Sequence, residues 1–373
     1  EADEKPSYMD YASVGDSEAA YRAAIKLEPN RPEAHIGLAI KLLTKGKLSE
    51  AWEHYEYRLD TSQGAGKAPN YTNAFPRWTG QNLNGKTILV TAEQGIGDKV
   101  FFAMLFPHLI ELGVKLYIGC EPRLKSIFKR SFPNVEVCEF SDQIQNGIRF
   151  RSFPLVENED SKISIDHQIP SGSLPRHFWR NIKTLPQSSS GYLIPSPTLV
   201  KKYHRNISRK NIKGLKVGLS WRSGKLEGIR AHSYLTLDIL KPLFELTGVE
   251  FFNLQYDCDH AEIQTFETNT GHTLHQFSDI DLKQDIESNL AIMENMDLMI
   301  GPSTATQMFA VSIGKPVMLL THGYPWWCFN AQNSSPVWFS EQCRIFARHE
   351  STWDQPLTEL IAAVKDFMNT KRN

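Results

Sequence analysis

Thr87-Ile88-Leu89-Val90-Thr91-Ala92-Glu93-Gln94-Gly95-Ile96-Gly97-Asp98 runs from five β-prone residues, through a turn with two glycines, into the helical pattern of Lys99 to Leu112. Glycines directly after a strand allow a tight turn and leave backbone N–H groups open at the start of the helix. Downstream, Lys115 to Ile118 reads as a strand, Arg123 to Ser131 as a helix and Val135 to Val137 as a strand. Strands alternating with helices predict a parallel sheet covered by helices.

Residues 138 to 200 interrupt the alternation with Pro154, Pro170, Pro175, Pro186, Pro195 and Pro197. It resumes with strand Lys216 to Ser220, helix Leu235 to Leu246, strand Val249 to Leu254 and helix Asp285 to Asn295. Strand Leu298 to Ile300, helix Thr304 to Ile313 and strand Pro316 to Leu320 follow, and Thr352 to Met368 reads as a closing helix. Two α/β units in one chain direct a ligand to the carboxyl ends of their strands, in the cleft between them.

The first 60 residues differ, being rich in Ala and Glu with helical periodicity in Ser17 to Leu27, Pro32 to Leu43 and Leu48 to Leu59. Tyr55 follows Tyr21 by 34 residues, Leu59 takes the place of Ile25, and Gly46 sits in a turn ahead of Glu50-Ala51. A helix-turn-helix period of this length resembles a tetratricopeptide repeat; a plain helical hairpin is the other reading. About one and a half repeats fall short of the roughly three that bury a common face. Either further repeats lie upstream, or these helices dock on the next domain. Residues 61 to 86, rich in Gly, Asn and Pro, read as a linker.

At 373 residues the chain has room for two to three domains of about 150 residues each. Hydrophobic residues at 41% and charged residues at 22% exclude wholesale disorder. Lys plus Arg number 41 against 42 Asp plus Glu, which argues against a nucleic-acid binder that works through bulk positive charge. Cys120, Cys138, Cys258, Cys328 and Cys343 are odd in number and form no CxxC, as expected of reduced thiols in a cytoplasmic protein. The apolar stretch Val100 to Leu112 is far below the roughly 20 residues of a membrane span, and no signal-peptide pattern stands at the start.

Three turns could carry chemistry. Glu93 to Asp98 is a partial dinucleotide fingerprint, with Glu121 placed like an acidic ribose ligand. Val100 fills the place of its third glycine, and a carboxylate at Asp98 would repel a phosphate. Facing a hydroxyl, Asp98 could instead act as a general base; the simpler alternative is a helix cap. Trp221-Arg222-Ser223-Gly224-Lys225 follows a strand, and its two cations suit a diphosphate leaving group, although surface loops often carry such residues. Gly301-Pro302-Ser303-Thr304-Ala305-Thr306-Gln307 joins a strand to a helix, where free N–H groups would hold a phosphate; capping alone also explains Ser303 and Thr304.

Other motifs are weaker. Asp257-Cys258-Asp259 is a literal DxD in the wrong context, and His272 and His275 lack a third ligand at metal spacing. No metal or cofactor is expected. His167, beside Asp166 at the end of a strand, is the second candidate base, or a partly buried structural histidine.

Several motifs stand in one order: Glu93 to Asp98, Ser173-Leu174-Pro175, Gly218-Leu219-Ser220-Trp221-Arg222, Leu254-Gln255 and Met296-Asp297-Leu298-Met299-Ile300. Ala310 to Pro316, Pro325-Trp326-Trp327 and Ser335-Pro336-Val337-Trp338-Phe339 follow. The series resembles bacterial tetratricopeptide-repeat glycosyltransferases, related to glycosyltransferase family 9 (the ADP-heptose heptosyltransferases) and more distantly to O-GlcNAc transferase. It covers Tyr21 to Asp354.

The resemblance implies an α/β GT-B fold of two Rossmann-like domains behind a short tetratricopeptide-type region. Residues 1–62 would be that helical region, 63–200 the acceptor domain and 201–345 the nucleotide-sugar domain. Residues 346–373 would form a helix packing back on the N-terminal domain. It also implies inverting, metal-independent transfer from a nucleotide-sugar to a hydroxyl, with a protein or glycan acceptor presented by the repeat region. Asp98 would be the base, with Gln94, Gly95 and Gly97 in its loop. Trp221, Arg222, Lys225, Gln255, Gly301, Ser303, Thr304, Ala305 and Thr306 would bind the donor, Trp221 and Gln255 at its base and ribose.

This chain departs from its relatives in one turn. They carry Asp-Thr and then His, whereas here Ser303-Thr304 is followed by Met308. The sugar and nucleotide stay open, ADP-heptose above all. A degenerate GT-B scaffold that recruits a protein through its helices is the alternative.

Overall fold

A computed structural model of the chain describes residues 18–60, 68–158, 160, 162–184, 191–210, 212–224, 233–323, 336, 339, 342–349 and 352–372. The chain divides into two compact units, Glu1–Leu185 and Pro186–Asn373.

The first unit opens with helices α1 (Glu18–Leu27), α2 (Pro32–Thr44) and α3 (Leu48–Tyr55), and a 3-10 turn at Glu56–Leu59 follows. Pro32 starts α2, where its missing N–H costs nothing and its fixed φ suits the helix. α2 is buried almost all round, because α1 and α3 both pack against it. Leu48, Ala51, Trp52 and Tyr55 of α3 are buried as well. The Trp52 indole N–H donates to the Trp179 carbonyl at 2.8 Å, so these helices dock on the body of their own unit.

A histidine pair lies inside this hairpin. Nδ1 of buried His35 is 2.7 Å from Nδ1 of His54, and the His35 ring stacks on Tyr57 at 3.5 Å. Burial lowers the His54 pKa, the nearby His35 adds to this, and Glu50 opposes it. A depressed imidazole contributes stability above its ordinary value of about 6.5, and that stability is lost as the pH falls. Thermal melts across this range should show the chain weakening below about pH 6.5, with a flatter profile for His54→Gln. An unchanged profile in the variant would remove the pair from the account.

The rest of the unit holds β1 (Asn70–Tyr71), β2 (Thr87–Thr91), α4 (Ile96–Ala103), α5 (Phe106–Glu111), β3 (Lys115–Cys120) and α6 (Pro122–Ser131). After them come β4 (Glu136–Glu139), β5 (Ser141–Gln145), β6 (Ile148–Ser152), α7 (Pro154–Glu157), β7 (His167–Pro170) and α8 (Pro175–Phe178). Strands β4-β3-β2-β7 form an all-parallel sheet in that order. Leu89, Tyr117 and Cys138 from it cluster with Phe153, Val156 and Ile165. A small sheet, β1-β6-β5, stands apart, its β5–β6 hairpin turning at Asn146 and Gly147, both with positive φ.

The second unit holds α9 (Pro197–Ser208), β8 (Leu215–Leu219), α10 (Leu237–Phe244), β9 (Val249–Asn253), α11 (His260–Thr270) and β10 (Leu274–His275). It continues with α12 (Ile286–Glu294), β11 (Leu298–Gly301), α13 (Ala305–Ser312), β12 (Val317–His322), β13 (Cys343–Arg348) and α14 (Asp354–Arg372). Its six strands are all parallel in the order β10-β9-β8-β11-β12-β13. Near-continuous apolar strands suit a sheet covered on both faces.

The packing bears on two of the expected divisions. A division at residue 200 would cut α9, which packs on α12 inside the second unit; the Asn295 side-chain amide donates to the Val200 carbonyl at 3.1 Å. The closing helix, expected to pack back on the N-terminal domain, buries Leu357, Leu360, Ala363 and Val364 in the second unit's own core, with Leu240, Leu320 and Phe346. Those side chains are the helix's apolar stripe, and sheet and α10 already cover it. Among the described residues no helix is long and apolar enough to cross a membrane, and Cys120, Cys138, Cys258 and Cys343 form no disulfide.

Candidate functional site

In an open parallel sheet, ligands bind outside the carboxyl ends of the strands, where the strand order reverses. In the first unit that point lies between β2 and β7, whose last residues Thr91 and Pro170 are level. In the second it lies between β8 and β11, with Leu219 level with Ile300. Each unit thereby brings two distant turns together. The Glu93–Asp98 loop meets the turn Ser171–Ser173, and the loop from Trp221 meets the turn at Gly301 to Thr304.

In the first unit, Gly95 caps α4 and its carbonyl accepts the Lys99 N–H at 3.2 Å. Gly97 and half-buried Asp98 lie in the first turn, where a carboxylate suits the positive end of the helix. The Gln94 side-chain amide exchanges hydrogen bonds with the Tyr55 hydroxyl at 2.8 and 3.1 Å. Buried Glu93 puts three donors on one oxygen: Arg58 Nη2 at 2.8 Å, Arg58 Nε at 3.2 Å and the Gly172 N–H at 3.0 Å. Its other oxygen is buried without a hydrogen-bond partner. Arg58 also donates to Ser173 Oγ at 2.9 Å and Glu56 Oε1 at 3.0 Å. Burial disfavours this guanidinium's charge, but Glu93 and Glu56 outweigh it and raise the pKa. Gly172 has to be glycine, because a Cβ there would lie 2.5 Å from the Glu93 carboxylate.

Two residues weighed in the sequence lie elsewhere in this unit. His167 is the first residue of β7, level with Ile88, so it sits at the amino end of the sheet, away from the Asp98 loop. Its neighbour Asp166 anchors that end, accepting the Thr87 N–H at 2.8 Å. A strand's direction is not visible in its composition, and the base role expected for His167 depended on it. Glu121 is committed to Lys99 at 2.7 Å and to Arg123, so it does not stand open like a ribose ligand.

In the second unit, Trp221 is 0% exposed and packs in the core, its indole N–H donating to Glu262 at 2.9 Å. Gln255 is buried too, and its carbonyl oxygen accepts the N–H groups of Trp221 at 2.8 Å and Arg222 at 2.9 Å. It braces the loop after β8, and its amide N–H donates to the Tyr256 carbonyl at 2.6 Å. The Arg222 fork is paired with Glu262 at 2.6 and 2.5 Å. Burial works to raise the Glu262 pKa, but the hydrogen bonds from Arg222 and Trp221 outweigh it and hold the carboxyl below its usual range. Lys225 and the motif Pro325-Trp326-Trp327 lie outside the described residues.

The turn after β11 keeps its expected form. Gly301 closes the strand where a Cβ would come within 2.6 Å of the Ser220 carbonyl. Thr304 is the N-cap of α13 without a side-chain cap bond, Ser303 and Ala305 are half-buried beside it, and Thr306 is buried in the first turn. Met308 is buried in the helix. Of the weaker motifs, Asp257 pairs with Lys283 at 2.6 Å, Asp259 caps α11, and His272 and His275 bond Glu245 and Glu250.

The sequence marks neither Arg58 nor Glu262, marks Tyr55 only as a repeat position, and gives no role to Glu93 or Ser173. The usable signal was Glu93 itself. A carboxylate between a buried strand and a glycine turn demands a buried cation.

No family model matches the chain. It is 32% identical over 364 residues to Protein FlbA of Caulobacter vibrioides, which covers 95% of this chain. The chain spans only 59% of that relative's length. Among solved structures it is similar to the glycosyl transferase family 9 protein of Veillonella parvula DSM 2008, with a TM-score of 0.52 and 12% identity, over 76% of this chain and 90% of that one. The ADP-heptose lps heptosyltransferase II of E. coli aligns with 77% of this chain and 100% of its own, at a TM-score of 0.49 and 9% identity. The Veillonella likeness shows a shared fold.

Proposed function

We propose that the chain is a GT-B glycosyltransferase, inverting and metal-independent, that moves a sugar from a nucleotide-sugar to an acceptor hydroxyl. One observation carries this. Both glycine turns, Gly95 to Gly97 and Gly301 to Thr306, stand at the strand-order reversal of a parallel sheet, in a fold shared with a family 9 glycosyltransferase. Asp98 would take the proton from the acceptor hydroxyl as its oxygen attacks the anomeric carbon. The bond from that carbon to the nucleoside diphosphate breaks on the opposite face, its electron pair leaving with the phosphate oxygen. N–H groups at Ser303 to Ala305, with Arg222 and Lys225, would stabilise the charge that grows there. Arg222 would have to share its fork between Glu262 and the phosphate. The N-terminal helices, read as a tetratricopeptide-type region, would present a protein or glycan acceptor.

A panel of nucleoside diphosphates and nucleotide-sugars tests this by thermal shift and by donor hydrolysis. The matching nucleotide, at a hundredfold excess over its dissociation constant, should stabilise the chain by about 2.7 kcal/mol. A panel without a single shift would overturn the enzyme assignment. It would favour the second reading, a degenerate scaffold, which the enclosure of Trp221 and Gln255 and the pairing of Arg222 with Glu262 support.

A further inference from the structure

Arg58 is 3% exposed and lies in the 3-10 turn that follows α3. It belongs to the helical segment, yet the atoms it holds lie at the sheet's strand-order reversal. On one side is Glu93, which leads the Asp98 loop; on the other is Ser173, in the turn after β7. Arg77 reaches the same Ser173 hydroxyl at 3.2 Å and pairs with Glu56, so two cations and two carboxylates close the cluster. One turn earlier, Tyr55 holds the next loop residue, Gln94. Adhesion of the helices does not require these bonds, because Trp52 already seals α3 onto the unit through Trp179. Gly95 at the cap of α4 and Gly97 in its first turn give this stretch little conformational preference of its own, so its shape has to come from neighbours. A guanidinium suits this task, since its N–H groups diverge in one rigid plane that an ammonium lacks.

We propose that Arg58 is a positioning residue for the Asp98 loop, and that the N-terminal helices act on the reaction through it. This rests on the glycosyltransferase reading above. Arg58 touches no reacting atom; it sets where α4 begins and so where the Asp98 carboxylate stands.

The test uses the full chain, with Arg58→Lys, the double variant Arg58→Met with Glu93→Gln, and Tyr55→Phe. The double variant removes both buried charges together, so neither is left unpaired if Arg58→Met alone fails to fold. Donor hydrolysis gives kcat and KM, and amide hydrogen exchange reports on residues 92 to 99 and, as a reference, on α2. The double variant should lose about 10- to 100-fold in kcat with donor KM within about twofold, the size expected of a misplaced group. Exchange should quicken in the loop and stay unchanged in α2. Arg58→Lys should recover part of kcat, and Tyr55→Phe should fall between it and the wild type. Wild-type kcat in a folded double variant, or unchanged loop exchange, overturns the proposal. If the wild-type chain hydrolyses no donor, the enzyme assignment fails separately, and loop exchange alone still decides whether Arg58 orders the loop.

Discussion

Asp98→Asn is expected to reduce turnover by at least about a hundredfold, while nucleoside diphosphate affinity stays near the wild-type value. The change keeps the side chain's size and its place in the first turn of α4, and removes its ability to take a proton. General-base catalysis typically contributes about 10²–10⁴ in rate. Donor binding is assigned to the second unit, so titration with the diphosphate separates the two effects. Gly95, not Asp98, is the N-cap of α4, so if Asp98 only offsets the positive end of its helix, the variant loses a few tenths to about 1 kcal/mol of stability and none of its turnover. Preserved turnover in a stable variant would end the base assignment.

Trp221→Ala carries the largest expected effect on stability. Emptying a fully buried tryptophan site costs about 3–5 kcal/mol, through lost transfer energy and the cavity left behind. The variant also strips one hydrogen-bond donor from Glu262, the partner of Arg222. Urea denaturation should therefore show the loss with no ligand present. A variant as stable as the wild type but weaker for nucleotide would mean that the ring faces a ligand after all.

The α/β alternation was legible because the parallel strands are short apolar runs followed by helical periods, Thr87–Thr91 before α4 and Leu215–Leu219 before α10. The β5–β6 hairpin was not, because all of Ser141–Gln145 is exposed and shows no apolar alternation. Its Asn146-Gly147 turn was the signal available. The form of the two glycine turns is legible, since strand, glycine and helix are contiguous in the chain. The direction in which a side chain points is not. Trp221 and Gln255 directly follow strands that end in the right place, yet their side chains turn into the protein. Arg58 lies 35 residues from Glu93 and 115 from Ser173, and no local pattern encodes a partner at that separation.

The Trp52 indole also waits 127 residues for the carbonyl of Trp179. At a synthesis rate of about 5–20 residues per second, that delay lasts about 6–25 s on the ribosome. Through that interval the face carrying Leu48, Trp52 and Tyr55 lacks its final cover, while β2, β3 and β4 have already emerged. Nascent chains arrested before Trp179 should therefore engage hydrophobic-binding chaperones through α3, and release them within the synthesis of a few further residues.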